Sequence, residues 1–332
     1  MKAAVLDEGR FRVTTVPDPT PGPGELVLQV SGCGVCGSDL KARGAMPSGT
    51  VMGHELCGEV VATGERVGDP WRIGVRAAVL PVVSCGSCDR CRSGDVAHCA
   101  AASLVGLGGE PGGFAEYVRV SAALSFPLPE SVPEHAGLLV EPFAVGLHTA
   151  RAAHIGAGDR VLVIGGGSVG LTSACWAREL GATQVTVSDP VAARRDAATH
   201  FGATAVIDPT VEELGGPYDV VLECVGAPGL LDVCASVAEH HGRIVVAGVC
   251  ADPDPLQQLV PLLKELTIAF SVYYSPEEFR TVIAAFESGR IDPVPLLSRT
   301  VGLDALDELF ASLGGGSEDL KVAVDPRLAF GA

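Results

Sequence analysis

Four cysteines fall within fifteen residues as Cys85-x2-Cys88-x2-Cys91-x7-Cys99, in a loop that also carries Gly, Arg and Asp. Four thiolates at these spacings can wrap tetrahedrally around one Zn²⁺ and leave no position for a substrate, so the motif predicts a closed, structural site. An iron–sulfur cluster is the rival reading. Ferredoxin-like runs end on a shorter gap followed by Pro, whereas here the gap is seven and Ala100 follows, which favours zinc. A second set, Gly32-Cys33-Gly34-Val35-Cys36-Gly37-Ser38-Asp39 and then Gly53-His54-Glu55, brings a soft thiolate, an imidazole and a carboxylate from two loops. Those are the ingredients of a zinc site that can keep a position open. The third is Val161-Leu162-Val163-Ile164-Gly165-Gly166-Gly167-Ser168-Val169-Gly170, in which Gly165, Gly167 and Gly170 match G-x-G-x-x-G. A pyrophosphate resting on the helix that opens at Ser168 and Val169 would meet free N–H groups and the positive end of the helix dipole.

These groups need elements to hold them. The first third of the chain is a series of short β-type runs broken by Gly and Pro, among them Lys2–Leu6, Arg10–Thr15, Glu25–Val30, Gly58–Val61, Arg76–Val79 and Ala115–Val120. That pattern predicts a barrel-like all-β unit. From about Asp159 apolar strands alternate with helical segments: Val161–Ile164, Gln184–Ser188, Ala205–Ile207, Asp219–Glu223, Arg243–Ala247 and Ile268–Tyr273 as strands, with helices Ser168–Leu180, Val191–Phe201, Gly229–His240 and Pro255–Leu266. Gly181 and Gly202 are placed as helix C-caps. This order builds a parallel sheet covered on both faces, the dinucleotide-binding arrangement. The second strand of that unit ends at Asp189, 19 residues past Gly170, where a carboxylate can accept from ribose hydroxyls and repel a 2′-phosphate. NAD is therefore expected over NADP, although Arg194 could also pair a phosphate. After the helix Pro276–Ser288, the remaining helix Asp304–Leu313, the turn Gly314-Gly315-Gly316 and the strand Leu320–Val324 are too few to fold alone and must dock on an earlier domain.

The length of 332 residues fits two domains at roughly 150 residues each. With 40 acidic against 23 basic side chains the net charge is −17, which repels phosphate backbones and anionic lipid, so neither nucleic acid nor membrane is an expected partner. No run is long and apolar enough to span a bilayer, and Asp7 and Glu8 interrupt any secretory leader. A cytoplasmic location is expected, in which the eleven cysteines stay reduced. Cys33, Cys57, Cys175, Cys224, Cys234 and Cys250, in apolar contexts, are then packing residues.

In order along the chain, Gly34-Val35-Cys36-Gly37-Ser38-Asp39, Gly53-His54-Glu55, the four-cysteine loop, Val140-Glu141-Pro142, the glycine turn and Glu223-Cys224-Val225-Gly226 resemble the zinc-containing medium-chain dehydrogenase/reductase superfamily over essentially the whole sequence. The resemblance implies an α/β protein with a GroES-like β-barrel catalytic domain, residues 1–140 completed by 292–332, and a Rossmann doubly wound parallel-sheet domain, residues 141–291. It implies two Zn²⁺ per subunit: a structural ion on Cys85, Cys88, Cys91 and Cys99, and a catalytic ion on Cys36 and His54, with Glu55 as ligand or close neighbour. Asp39 would orient the His54 ring. Glu141 stands where ethanol-type members place a third ligand cysteine, the pattern of sorbitol- and threonine-dehydrogenase-like members. Ser38 matches the proton-relay hydroxyl, Lys321 a basic position near the cofactor pyrophosphate, and Lys41 replaces the relay histidine of many members.

The activity implied is hydride transfer between NAD and a secondary alcohol (polyol, cyclitol, sugar-derived or amino alcohol) or its ketone, in a homodimer or homotetramer. The rival readings are a member whose zinc and nucleotide sites serve sensing or assembly without turnover, and a reductase that works on a ketone or enone with NADPH.

Overall fold

The computed structural model describes residues 1–313 and 316–328, so Gly314 and Gly315 of the expected glycine turn lie outside the described residues, as do 329–332 of the expected C-terminal completion. The chain separates into two compact units: Met1–Glu141 with Ser275–Gly315 and Lys321–Ala332, and Pro142–Tyr274 with Gly316–Leu320.

The first unit is built on a seven-stranded sheet in the order Leu297–Val301, Lys321–Val324, Glu25–Gly34, Glu55–Thr63, Arg76–Val79 and Ser125–Pro127, with Tyr117–Ser121 also paired to Glu25–Gly34. All pairings are antiparallel except that of the first two strands. Two of these strands run further than the sequence pattern suggests. Glu25–Gly34 continues four residues past Val30, and its partner begins at Glu55 rather than Gly58, so that Gly34 pairs with Glu55 and with Ala323. Glycine at 32, 34 and 58 hid the strand ends from propensity, since glycine weakens a strand and marks close approach instead. The core beneath holds Leu26, Leu28, Met52, Leu56 and Phe114, and the C-terminal helix Leu306–Ser312 adds Phe310 against Phe11 and Phe114.

The sequence reading carried the dinucleotide unit to residue 291. The structure divides the chain at Ser275 instead, because the helix Pro276–Glu287 lays Phe279 on Phe126 of the first unit, ring centroids 5.0 Å apart. That helix starts where expected: Ser275 caps it and Glu278 closes the capping box.

The second unit is a six-stranded sheet in the order Ala205–Ile207, Gln184–Ser188, Arg160–Ile164, Tyr218–Glu223, Ala238–Val246, Thr267–Phe270, every pair parallel. In sequence terms the order is 3-2-1-4-5-6, the doubly wound arrangement. The helix Ser168–Glu179 follows the first strand, and Gly181 and Gly202 both hold positive φ just beyond helical segments. The helix expected over Gly229–His240 stops at Val237, since the strand already begins at Ala238 opposite Tyr218. The next helix is confined to Leu259–Lys264. Gln257 N donates to Asp232 Oδ1 at 2.9 Å, which fixes the preceding segment in a non-helical path.

Candidate metal centre and cofactor turn

Cys36, His54 and Glu55 come together because three strand ends do. The strand Glu25–Gly34 delivers Cys36 two residues beyond its end, the strand Glu55–Thr63 starts on Glu55 with His54 just before it, and Lys321 opens its own strand beside them. One donor atom from each of Cys36, His54 and Glu55 lies within 4.8 Å of the others. Glycine makes this possible at two points. A Cβ on Gly34 would sit 2.0 Å from Glu55 Oε2, and Gly53, at φ +99°, lets the chain turn into His54 where a Cβ would strike Cys33 and Phe114.

Cys36 is also the N-cap of the short helix Gly37–Ala42, whose third residue is Asp39. Cys36 N donates to Asp39 Oδ2 at 3.0 Å, while Asp39 Oδ1 lies 3.1 Å from His54 Nδ1, so one fully buried carboxylate sets both the helix start and the imidazole. Burial by itself lowers the His54 pKa, but the charge and hydrogen bond of Asp39, with Cys36, outweigh it and raise the group well above its ordinary value. With Nδ1 committed to Asp39, Nε2 is the nitrogen left to face a metal. Ser38, on the first turn of that helix, is half-buried.

Lys321, which the resemblance puts near the cofactor pyrophosphate, does not lie on an exposed strand edge. Its strand is interior to the sheet, and the ammonium, 2% exposed, donates to Glu55 Oε1 at 2.6 Å and to Val35 O at 3.0 Å. Burial lowers the Lys321 pKa, and the negative charge of Glu55, with Cys36 and Glu141, more than compensates, leaving it raised. The second carboxylate oxygen, Glu55 Oε2, is buried with no hydrogen-bond partner. An orphaned carboxylate oxygen beside a thiol and an imidazole fits a bound Zn²⁺, which would satisfy it. Glu141, buried on the first turn of the helix Val140–Ala152, acts electrostatically on Lys321 but is not among the three donors within 4.8 Å of each other.

The four-cysteine lobe is a separate, local construction. Cys85, Cys88, Cys91 and Cys99 place their sulfurs within 4.8 Å of one another, with 3.5 Å between Cys88 and Cys91 and between Cys85 and Cys99. Backbone N–H groups of Ser87 and Cys88 bring the Cys85 thiol down to about 6, the direction a metal-binding thiolate requires. The residues fit one Zn²⁺ with all four positions filled.

In the second unit the glycine turn is held by the residue expected to read the ribose. Gly166 N and Val191 N each donate to the Asp189 carboxylate at 2.8 Å, and Arg194 Nη1 stands 3.7 Å from it. Gly165 has φ +100°, Gly167 is the N-cap of the helix, and Gly170 packs so tightly that a Cβ would lie 1.7 Å from Gly165 O. Ser168 Oγ donates to Leu320 O at 2.8 Å and Arg194 Nη2 to Ser317 O at 2.9 Å, while Arg194 Nε is buried with no partner. Val169 lies half-buried in the first helical turn.

Residues 22–130 match the family model for the alcohol dehydrogenase GroES-like domain, and residues 168–288 that for zinc-binding dehydrogenases. The L-galactonate-5-dehydrogenase of Escherichia coli K12 is 30% identical over 88% of this chain and 88% of its own length. The chain belongs to the zinc-containing medium-chain dehydrogenase/reductase superfamily. The sorbitol dehydrogenase of Bacillus subtilis 168, 29% identical over 98% of both chains, places it with the sorbitol- and threonine-dehydrogenase-like members. A zinc-binding dehydrogenase of Sinorhizobium meliloti 1021 bound to NADP superposes at TM-score 0.90, 32% identical over 98% of this chain and 99% of the other. As a member of this family the protein is a zinc-dependent, NAD(P)-linked oxidoreductase of the alcohol dehydrogenase type acting on a small molecule. Among the described residues no helix is long and apolar enough to cross a membrane.

Proposed function

We propose that the protein oxidises a secondary alcohol of a polyol, cyclitol, sugar-derived or amino-alcohol substrate, or reduces the matching ketone, with NAD preferred over NADP. The observation that carries this is the convergence of one donor atom each from Cys36, His54 and Glu55, together with the unpartnered Oε2 of that carboxylate. Zinc held there, with Glu141 as the further carboxylate ligand that the resemblance implies, would supply a Lewis acid that lowers the pKa of a substrate hydroxyl. The protein's own residues do the rest. Asp39 locks the His54 tautomer, Lys321 holds one oxygen of Glu55 and so aims the other, and Ser38 relays the substrate's hydroxyl proton, passing its own on as it accepts that one. A second ion on the four cysteines makes two Zn²⁺ per subunit.

The cofactor reading rests on Asp189. Its carboxylate is tied to Gly166 of the pyrophosphate turn, so it stands at the adenosine side with a charge that disfavours a 2′-phosphate. The S. meliloti neighbour holds NADP, which makes the ratio of kcat/KM for NAD and NADP a direct test of this preference. A subunit pairing also follows from the second unit. The strand Thr267–Phe270 ends the sheet, and beside it Leu262, Leu263 and Phe270 are 71%, 69% and 74% exposed, a surface for a second copy of the chain. A cytoplasmic location goes with this reading, since the zinc-binding cysteines must stay reduced.

The test is zinc per subunit together with NAD-linked oxidation across a panel of polyols and amino alcohols. Two ions and turnover on one class support the reading. Zinc-replete protein that oxidises nothing in the panel returns the choice to a member that senses or assembles without turnover.

A further inference from the structure

Glu223 is a buried acid, 2% exposed, that the mechanism does not use. It ends the strand Tyr218–Glu223, and its Oε1 accepts from Val225 N and Gly226 N, both at 2.8 Å. Its backbone oxygen accepts from Ala247 N at 2.8 Å and Gly248 N at 3.0 Å, the loop that follows the neighbouring strand. The two loops meet at this residue, its side chain holding one and its main-chain oxygen the other. A Cβ on Gly248 would sit 2.1 Å from Gly226 N and 2.5 Å from Glu223 Oε2, and a Cβ on Gly226, at φ +70°, would meet the Val249 backbone at 2.4 Å. Gly165 of the pyrophosphate turn closes on the same place, where a Cβ would lie 2.7 Å from Val225 Cγ2.

These loops leave the carboxyl ends of three adjacent parallel strands, Arg160–Ile164, Tyr218–Glu223 and Ala238–Val246. Chain order reverses between the first two, and a dinucleotide lies across that point with its adenosine on the side of Gln184–Ser188. The loops held by Glu223 therefore belong to the nicotinamide side, and both carry an exposed apolar residue, Val225 and Val249. We propose that Glu223 is a positioning residue: its carboxylate fixes the backbone of residues 224–226, on which 247–249 dock through the Glu223 main-chain oxygen, and so sets the surface on which the nicotinamide half of the cofactor rests. The two bonds to backbone N–H groups are charge-assisted, which suits a rigid anchor rather than a mobile one. This rests on the cofactor reading above and deepens it.

The experiment uses the full, zinc-loaded chain and compares binding of AMP, which carries only the adenosine side, with NADH. In Glu223→Ala the expected result is NADH affinity weakened by about tenfold or more with kcat lowered, AMP affinity held within about twofold, and zinc content unchanged. Glu223→Gln keeps a carbonyl oxygen that can accept both N–H groups and recovers most of the loss. Should Glu223→Ala fail to fold, Gly248→Ala, whose methyl must push against Gly226 N first and then the Glu223 carboxylate, is expected to show the same split between NADH and AMP. AMP and NADH weakened by one common factor, no change in either, or a glutamine variant no better than alanine overturns the clamp. A wild-type chain that binds neither nucleotide fails earlier, at the cofactor reading, and takes the clamp down with it.

Discussion

The two sets of metal donors are built in opposite ways. The lobe gathers Cys85, Cys88, Cys91 and Cys99 from one short loop, with Cys85 exposed and Cys99 buried, and few other elements contribute. The second set joins Cys36, His54 and Glu55 at the meeting of three strands, and its charge balance comes from Lys321, 266 residues away from Glu55. A local site depends on its own spacing and its metal. A site made by strand ends depends on the whole sheet, and can therefore hold an unsatisfied, buried oxygen ready for chemistry.

Replacing Cys36 by Ser gives the largest separation between the two. Turnover is expected to fall by roughly a thousandfold, about 4 kcal/mol of transition-state stabilisation, while the zinc count drops from two per subunit to one and the fold persists. An unchanged zinc count would mean that this set holds no ion of its own. Lys321→Met comes next. Removing one member of a buried ion pair leaves Glu55 charged without its partner, so unfolding in urea should show a loss of roughly 3–5 kcal/mol, partly restored by adding Glu55→Gln. If the single variant is as stable as the parent, the pair is not what balances the site.

Cys91→Ser acts on the other side of the comparison. Cleavage by a protease between Ser84 and Ala100 should speed up on the order of tenfold, with the polyol activity moved far less than by Cys36→Ser. Equal loss of activity in the two variants would show that the lobe is not independent. The smallest effect belongs to a pair in the second unit, Arg160 and Asp219, whose hydrogen bond holds the Asp219 carboxyl below its ordinary value. Such a group stabilises the fold above its unfolded pKa near 3.8 and stops doing so as pH falls through its lower folded value. Asp219→Asn is expected to cost about 1 kcal/mol or less at pH 7, with the difference from wild type shrinking once pH falls below 3.8 and gone below the folded value. A difference that persists in acid would place the effect in packing rather than charge.

Much of the site was legible residue by residue. The four-cysteine spacing, the Gly-His-Glu run and the glycine turn are short-range chemistry, and the structure gathers the sulfurs of the first and the donors of the second as clusters. The buried ion pair of Lys321 with Glu55 was not legible. Its only local signal was a lysine opening an apolar strand, Lys-Val-Ala-Val, and an edge position explains that as well as a buried partner does. Glu223 was read as part of a family motif, with nothing in its neighbours to reveal the second loop that closes on it. The helix Pro276–Glu287 had legible caps but an illegible address, since which unit it joins depends on Phe279 finding Phe126.

Local spacing and period thus determined the elements, the alternation that makes the doubly wound sheet, and the donor types at each metal set, because hydrogen-bonding period, glycine conformation and ligand chemistry act within a few residues. Register and partnership were decided only in three dimensions. Gly34 opposite Glu55, Lys321 inside the sheet and Glu223 between two loops are pairings across tens to hundreds of residues, and the partner that spares each buried charge the cost of standing alone is present only once the strands have met.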